Sequence, residues 1–374
     1  MIPPLSWAHA GNAAAAPPPR TALRPPWIER EESAFLLLQS FANESGHAPS
    51  DPTLYLLRRP IFAIQAMIDL VPHVEVRTFH EALETSLPQQ VADRLRPALR
   101  ALSFSEHKPT VKLIAQRIGF TVPETFVSGH GLKESLDALA ERRATRFCMK
   151  PVAGKNGHCV RLLEYRGNGA YFDLAWRKTF SREELVENLE TEYVERRIDR
   201  KRVAGRSFRG QWMAEEIVAG NRADELPDDF KFYTFYGEIV CVLQKRRIFS
   251  NSEKVTNLYR WYDASWRPIH TGKYSPDPTL EPPQNADTVT SLVREASRRL
   301  PIPFCRIDVY LDGSRVVAGE LTRKPGGANK FSATFSRTLA AAYNDALRRI
   351  VQDIDAGNLD DILSLYAFDA PVRS

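Results

Sequence analysis

The chain has 374 residues, 43% hydrophobic and 26% charged, a balance that can fill more than one core and excludes a disordered or fibrous protein. Its formal net charge of +5 and sequence pI near 9.0 suit an anionic partner: a nucleic acid, an acidic membrane surface or a small anion such as ATP. No apolar run is long enough to span a bilayer, and the N-terminus lacks a charged region followed by an apolar one, so the expected location is the cytoplasm.

Residues 1–30 are crowded with Pro and Ala (AAAAPPPR, LRPPW) and are expected to form a disordered arm. Over 31–104 the pieces AFLLLQSF, IFAIQAMIDL, FHEALETSL and VADRLRPALRAL repeat at helical spacing and predict a small helical region. Strands and helices then alternate. The pattern predicts a helix over 108–118, a strand over 147–150 stopped by Pro151, and a hairpin over 158–173 turning at Gly167, Asn168 and Gly169. Ser181 with Glu184 forms a capping box that opens a helix running to about 196. A strand over 211–218, a hairpin over 230–247 turning at Gly237, a helix over 287–300, a hairpin over 302–322 and a helix over 332–354 follow. This divides the rest of the chain into α+β regions at 105–212 and 213–356 and a C-terminal tail at 357–374. Cys148, Cys159, Cys241 and Cys305 show no CxxC spacing and read as reduced core residues.

Three segments hold the chemistry. In CRIDVYLDGSRVVAGELTRKPGG, apolar Ile307, Val309 and Leu311 alternate with Arg306, Asp308 and Tyr310, and Val317 and Leu321 alternate with Glu320 and Thr322. A two-residue turn at Asp312 and Gly313 would pair Val309 with Val316 and put Asp308 and Glu320 on opposite faces. A three-residue loop of Asp312, Gly313 and Ser314 pairs Val309 with Val317 and gathers Arg306, Asp308, Glu320 and Thr322 on one face. The hydrophobic pattern selects the three-residue loop, with Arg306 opposite Glu320 and Asp308 diagonal to it, on the order of 7 Å away at Cβ. Carboxylates so placed can share hard divalent cations. In isolation the same residues also fit a surface ion pair of Arg306 with Glu320.

FCMKPVAGKNGHCV ends a strand at Lys150 and continues through Gly154, Lys155, Asn156 and Gly157, a loop that suits phosphate and equally suits an ordinary turn. It lacks the GxxxxGK[ST] pattern, and no GxGxxG follows a strand. QWMAEEIVAG ends an apolar strand in Glu215 and Glu216. Their side chains point to opposite sides, so either one faces a cleft and accepts hydrogen bonds from adenine or ribose, or both meet solvent.

In order, SEHKPTVKLIAQRIGFTVPETF, FCMKPVAGKNGHCV, WMAEEIV, DDFKFYTFYGEIVCVLQ, RWYDASW and CRIDVYLDGSRVVAGELTRKPGG resemble the TupA-like branch of the ATP-grasp superfamily, over about residues 105–340. The first 104 residues share no such motif. The resemblance implies an α+β fold in which two subdomains with antiparallel sheets clamp ATP. It implies that Lys108 and Lys150 hold the α- and β-phosphates, that Gly154, Lys155, Asn156 and Gly157 form a glycine-rich lid, and that Glu215, Glu216, Ile217 and Val218 line the adenine hinge. Lys231 would face the nucleotide. Asp308 and Glu320 would bind one or two Mg²⁺ ions, and Arg306 would join Lys150 in neutralising the transferred phosphoryl. Thr322 stands where many ATP-grasp enzymes have Asn, and the acid before the first lysine is displaced by one residue, to Glu106.

The implied activity is ATP-dependent ligation of a carboxylate to an amine through an acyl phosphate, on a small-molecule or polysaccharide acid, in a setting such as surface-polysaccharide or peptide-conjugate biosynthesis. The alternative on the same fold is a phosphotransferase acting on a sugar or metabolite hydroxyl. The basic stretches ERRIDRKRVAGRSFRG and QKRR read either as solvated surface or as a rim that gathers anionic substrates. Within the second, Arg246 and Arg247 are the expected acceptor-side or phosphate contacts. RWYDASW, with Trp261, Tyr262, Asp263 and Trp266, fits a role in packing. No RNP, zinc-finger or helix-turn-helix signature is present, so no nucleic-acid partner is expected.

Overall fold

The computed structural model describes residues 78–154, 157–220, 226–249 and 255–371, which fall within one compact unit, Val76–Ser374. The arm at 1–30 and the helical pieces AFLLLQSF and IFAIQAMIDL lie outside the described residues, as do Lys155 and Asn156.

Among the described residues four helices come first: α1 (Phe79–Glu84), α2 (Gln89–Arg94), α3 (Arg96–Leu102) and α4 (Lys108–Arg117). Then follow β1 (Thr125–His130), α5 (Leu132–Glu141), β2 (Arg146–Pro151), β3 (Arg161–Tyr165), β4 (Ala170–Asp173), β5 (Lys178–Ser181) and α6 (Arg182–Glu195). A 3-10 turn (Ile198–Arg200), a small ribbon of β6 (Arg202–Val203) with β7 (Arg206–Ser207), and β8 (Trp212–Glu215) complete this part. The expected capping box is in place: Ser181 Oγ accepts from the Glu184 N–H at 3.1 Å, and Glu184 Oε2 accepts from the Ser181 N–H at 2.7 Å. The first sheet is six-stranded and antiparallel in the order β1-β8-β2-β3-β4-β5. Phe147, Met149, Leu163, Trp212 and Ala214 form its apolar face and pack against Leu136 and Leu139 of α5 and Leu185 and Leu189 of α6. By alternation Cys148, Lys150, Met213 and Glu215 share the other face.

The second sheet contains β9 (Asp229–Phe235), β10 (Glu238–Phe249), β11 (Val255–Tyr262), β12 (Cys305–Asp312) and β13 (Arg315–Thr322). It is antiparallel in the order β11-β10-β9-β12-β13. Helix α7 (Ala286–Arg298) covers one face, where Val289, Val293 and Ala296 meet Phe230, Phe232, Ile307 and Val309. Helices α8 (Ala333–Asp355) and α9 (Asp360–Ser364) close the chain. Leu339, Tyr343 and Ala346 of α8, with Phe79 of α1, pack on Tyr233, Phe235, Cys241 and Trp261 of the opposite face. Each large side chain buried in this way contributes roughly 1.5–3 kcal/mol. The helices cover only part of that face, and what remains is ionisable. The segment 357–371 docks on the body: Tyr366 is buried and its hydroxyl donates to Arg299 O at 2.7 Å. All four cysteines are free and buried. Among the described residues no helix is long and apolar enough to cross a membrane.

The ribbon β12–β13 corrects the expected turn. Gly313, at φ +58°, and Ser314 form a two-residue loop between paired Asp312 and Arg315, so Val309 meets Ala318 and not Val317. Gly319 is then an extra residue in β13, and beyond this bulge Asp308 stands directly opposite Glu320, and Arg306 opposite Thr322. A Cβ at Gly319 would fall 2.5 Å from the Tyr310 ring, which leaves room for glycine alone. The shared ionisable face therefore forms, because the bulge supplies the one-residue shift that the sequence pattern assigned to the turn.

Candidate active site

The site begins on that ribbon. Asp308 is only 2% exposed, yet both its oxygens are engaged: Arg306 donates to Oδ1 from Nε at 2.6 Å and to Oδ2 from Nη2 at 2.7 Å, and Lys231 donates to Oδ2 at 2.5 Å. Burial alone would raise its pKa, but Arg306 and Lys231 hold it below the usual carboxylate range. Lys231 bridges onward to Asp229 Oδ2 at 2.6 Å. Arg306 also reaches Thr322 Oγ1 at 3.1 Å and, more loosely, Glu320 Oε2 at 3.5 Å. The Glu320 side chain is 44% exposed, and burial together with the charge of Asp308 raises its pKa. The ribbon thus presents one carboxylate already neutralised and one still short of positive charge.

A second charged group is built from Lys150 of β2 and Lys108 and Lys112 of α4. Lys150 pairs with buried Glu215, whose other oxygen accepts from Lys112 at 2.9 Å. Lys108 and Lys112 are one helical turn apart on α4 and so point to the same side. Lys108 donates to Pro151 O at 2.7 Å and Gly154 O at 3.4 Å, which fastens it to the start of the glycine-rich loop. Burial, then the charge of Lys150, pushes Lys108 down to about 7. For Lys150 burial acts in the same direction, but the Glu215 carboxylate overrides it and the pKa rises. The charge of Glu320 also favours the protonated form of both lysines, so the ribbon and the strand end act on one another.

Glu215 turns inward and Glu216 outward. Glu216 accepts from Arg315 at 2.9 and 3.2 Å and from the Glu124 N–H at 3.1 Å, so neither glutamate is simply solvated. Ile217 is half-buried and Val218 buried, just beyond the end of β8. Gly157 has φ +70°. Arg246 and Arg247 fall on opposite faces of β10. Arg246 binds Asp228 through Nε at 2.7 Å and Nη2 at 2.8 Å on the face away from Asp308, whereas exposed Arg247 is on the Asp308 side. Trp261, Tyr262 and Trp266 are core residues, and Trp261 Nε1 donates to Lys273 O at 2.7 Å.

Sequence reasoning missed four groups. Lys112 was legible from its i, i+4 spacing with Lys108. Asp229 precedes Lys231 by two residues and so shares its face, and its buried Oδ1 has no hydrogen-bond partner. Lys245 lies directly across from Asp229, and burial and Arg247 push it down to about 8. Lys273 is buried, donates to Gly326 O at 2.8 Å, and is pushed down to about 8 by burial and the nearby Arg306. Nothing in its local sequence marks it, because a loop crossing places it there.

The donors suit Mg²⁺. Among the described residues no group of three or more His, Cys, Asp or Glu gathers as a ready-made protein cage. The facing pair Asp308 and Glu320 supplies a few hard oxygens instead, and Mg²⁺ normally completes such a set with phosphate oxygens and water. The raised pKa of Glu320 marks a carboxylate that a cation would stabilise.

Residues 108–343 match the family described as TupA-like ATPgrasp. No curated protein matches the chain. Among solved structures it is similar to D-alanine–D-alanine ligase from Bacillus anthracis, at 14% identity and TM-score 0.42 over 70% of this chain and 71% of that one. It is similar also to the ATP-grasp ligase PsnB complexed with minimal precursor, at 14% identity and TM-score 0.37, with 66% and 63% covered. A third, VanG D-Ala:D-Ser ligase from Enterococcus faecalis, has 14% identity and TM-score 0.38, with 67% and 61% covered. The chain spans less than two thirds of the last two.

Proposed function

The chain belongs to the TupA-like ATP-grasp family, and from that premise we propose that it is an ATP-dependent ligase that joins a carboxylate to an amine through an acyl phosphate. The observation that carries this reading is the facing pair Asp308 and Glu320, whose exposed member acts on Lys108 and Lys150 from across the site. Adenine lies along Glu215–Val218, with Glu215 oriented by Lys150 and Lys112. The orphaned Oδ1 of Asp229 accepts a ribose hydroxyl, since a buried acceptor without a partner costs about 1–3 kcal/mol. Lys108 and Lys150 hold the inner phosphates, and Gly154 and Gly157, lacking a Cβ, let backbone N–H groups approach them.

Asp308 and Glu320, with Thr322 beside them, would hold one or two Mg²⁺ ions, which supply charge neutralisation on the triphosphate. Lys231, Arg306 and Lys273 gather around the outer phosphoryl and the incoming acid, where two anions must approach. A carboxylate oxygen attacks the γ-phosphorus and ADP leaves. The amine then attacks the acyl carbon, phosphate departs, and the amine proton passes to solvent. Arg306 and Lys273 stabilise the oxyanion formed on the way. The protein needs no nucleophile of its own, and its working place is the cytoplasm, where ATP is abundant.

The test is ADP release from Mg-ATP with panels of acids and amines, using hydroxylamine to trap an acyl phosphate as its hydroxamate. Release that requires both an acid and an amine is the expected result. A stable phosphoester formed on a hydroxyl, with no hydroxamate, would identify a phosphotransferase instead.

A further inference from the structure

A charged cluster that the ligase reading leaves unused lies where the chain returns from the glycine-rich loop. Cys159 is fully buried, and its backbone sits at φ +55°, a left-handed conformation that residues with a Cβ adopt only at a cost. Glu192 of α6 holds it there: its Oε1 accepts from the Cys159 N–H at 3.0 Å. The other oxygen, Oε2, accepts from Arg161 Nη2 at 2.7 Å, and the same nitrogen donates to Asn188 Oδ1 at 2.8 Å, one helical turn earlier on α6. Arg161 also faces fully buried Asp173, whose Oδ2 lies 3.6 Å from Nε, beyond a hydrogen bond. Burial alone would raise the pKa of Glu192, but the Cys159 N–H and Arg161 lower it.

The core beneath does not call for these charges. Buried ion pairs can often be replaced by apolar residues without loss of stability, and Leu163, Leu185 and Leu189 already join α6 to the sheet. The loop backbone does call for one of them. Cys159 lies outside both β2 and β3, so its N–H has no ladder partner and needs a side-chain acceptor. Just past α6, Ile198 meets the outgoing limb: its Cγ2 would lie 3.9 Å from a Cβ at Gly154, as would Lys108 Nζ. The helix and the turn after it therefore touch the glycine-rich loop at both ends, Gly154 and Cys159. We propose that Glu192 is a positioning residue for the nucleotide: through the Cys159 N–H it fixes the returning limb, with Arg161 aiming its carboxylate, so that the loop's own N–H groups are set before phosphate arrives. The assignment rests on the nucleotide site of the ligase reading and not on the reaction that follows.

The experiment is calorimetric titration of the full chain with a non-hydrolysable ATP analogue and Mg²⁺, with no acid or amine present. Glu192→Ala is expected to bind about ten-fold more weakly, the worth of one hydrogen bond to a charged group. Glu192→Gln keeps an acceptor of the same reach and loses the ion pair, so it should recover most of that loss. Glu192→Asp keeps the charge but falls one methylene short, so it should resemble Glu192→Ala. A role in stability alone would follow the charge instead, with Asp close to the parent and Gln close to Ala. That reversed order overturns the proposal, as does parent-like affinity in all three variants, and the contrast of Gln with Asp decides the matter even if Glu192→Ala does not fold. Without nucleotide, hydrogen exchange at the Cys159 amide should quicken in Glu192→Asp and not in Glu192→Gln, and equal exchange in the two also overturns it. A parent that binds no analogue would bring down the nucleotide site and this assignment together. Tight binding without any ligation would leave the assignment standing and the ligase reading refuted.

Discussion

Asp308 balances two buried cations, and that makes it a structural residue as well as a site residue. Removing one member of a buried ion pair typically costs about 3–5 kcal/mol, because the partner is left charged and unsolvated. Asp308→Ala is therefore expected to lower the urea midpoint sharply, while Glu320→Gln, at a half-exposed position, should unfold like the parent. Equal midpoints for Asp308→Ala and the parent would remove Arg306 and Lys231 from this network. Lys108 gives a pH signature. Its free-state pKa is depressed to about 7, and a bound triphosphate restores the charge, so the complex has the higher pKa. Nucleotide affinity is then full below about 7 and declines as pH rises above it, by at most about ten-fold per pH unit. Calorimetric titration near pH 8, in buffers of different ionisation enthalpy, should show proton uptake on binding that Lys108→Met reduces. Uptake unchanged in that variant would place Lys108 away from the phosphates. Arg306, Asp308 and Glu320 were legible because strand alternation reports a shared face. Asp229 and Lys273 were not, because their importance lies in an unpaired atom and a loop crossing that no local pattern encodes.

At the scale of elements the bulge at Gly319 decides the site. Its missing Cβ lets the Tyr310 ring lie against the strand, and the extra residue brings Glu320 opposite Asp308. Gly319→Ala should cost about 1–3 kcal/mol through overpacking. Combined with Tyr310→Ala, which removes the clashing ring, the loss should fall short of the sum by about 1 kcal/mol or more. Strict additivity in chemical denaturation would mean that the two residues do not meet. The hydrophobic pattern demanded a shared face but could not say whether a longer loop or a bulge provided it, since either shifts the register by one. The capping pair Ser181 and Glu184 was readable because its geometry is local. Strands β1 and β11 were not: TFVSGH and VTNLYRWY mix polar residues into partly exposed edges, where alternation is weak.

At the scale of the molecule, Asp308 and Glu320 stand on one antiparallel sheet and Lys150 and Glu215 on the other, and the proposed site takes in both. The order of motifs along the chain foretold which strands carry the charges. How the sheets are held was hidden, because it depends on long-range ties: Arg315 to Glu216, and the Ala318 N–H to Thr121 O at 2.9 Å. The most direct test of a metal-loaded triphosphate held between ribbon and lysines is the affinity for a non-hydrolysable ATP analogue, measured by calorimetry with and without Mg²⁺, for the parent and for Glu320→Gln. The parent should bind at least about ten-fold more tightly with Mg²⁺, and Glu320→Gln should lose most of that gain. The same Mg²⁺ dependence in both proteins would contradict it.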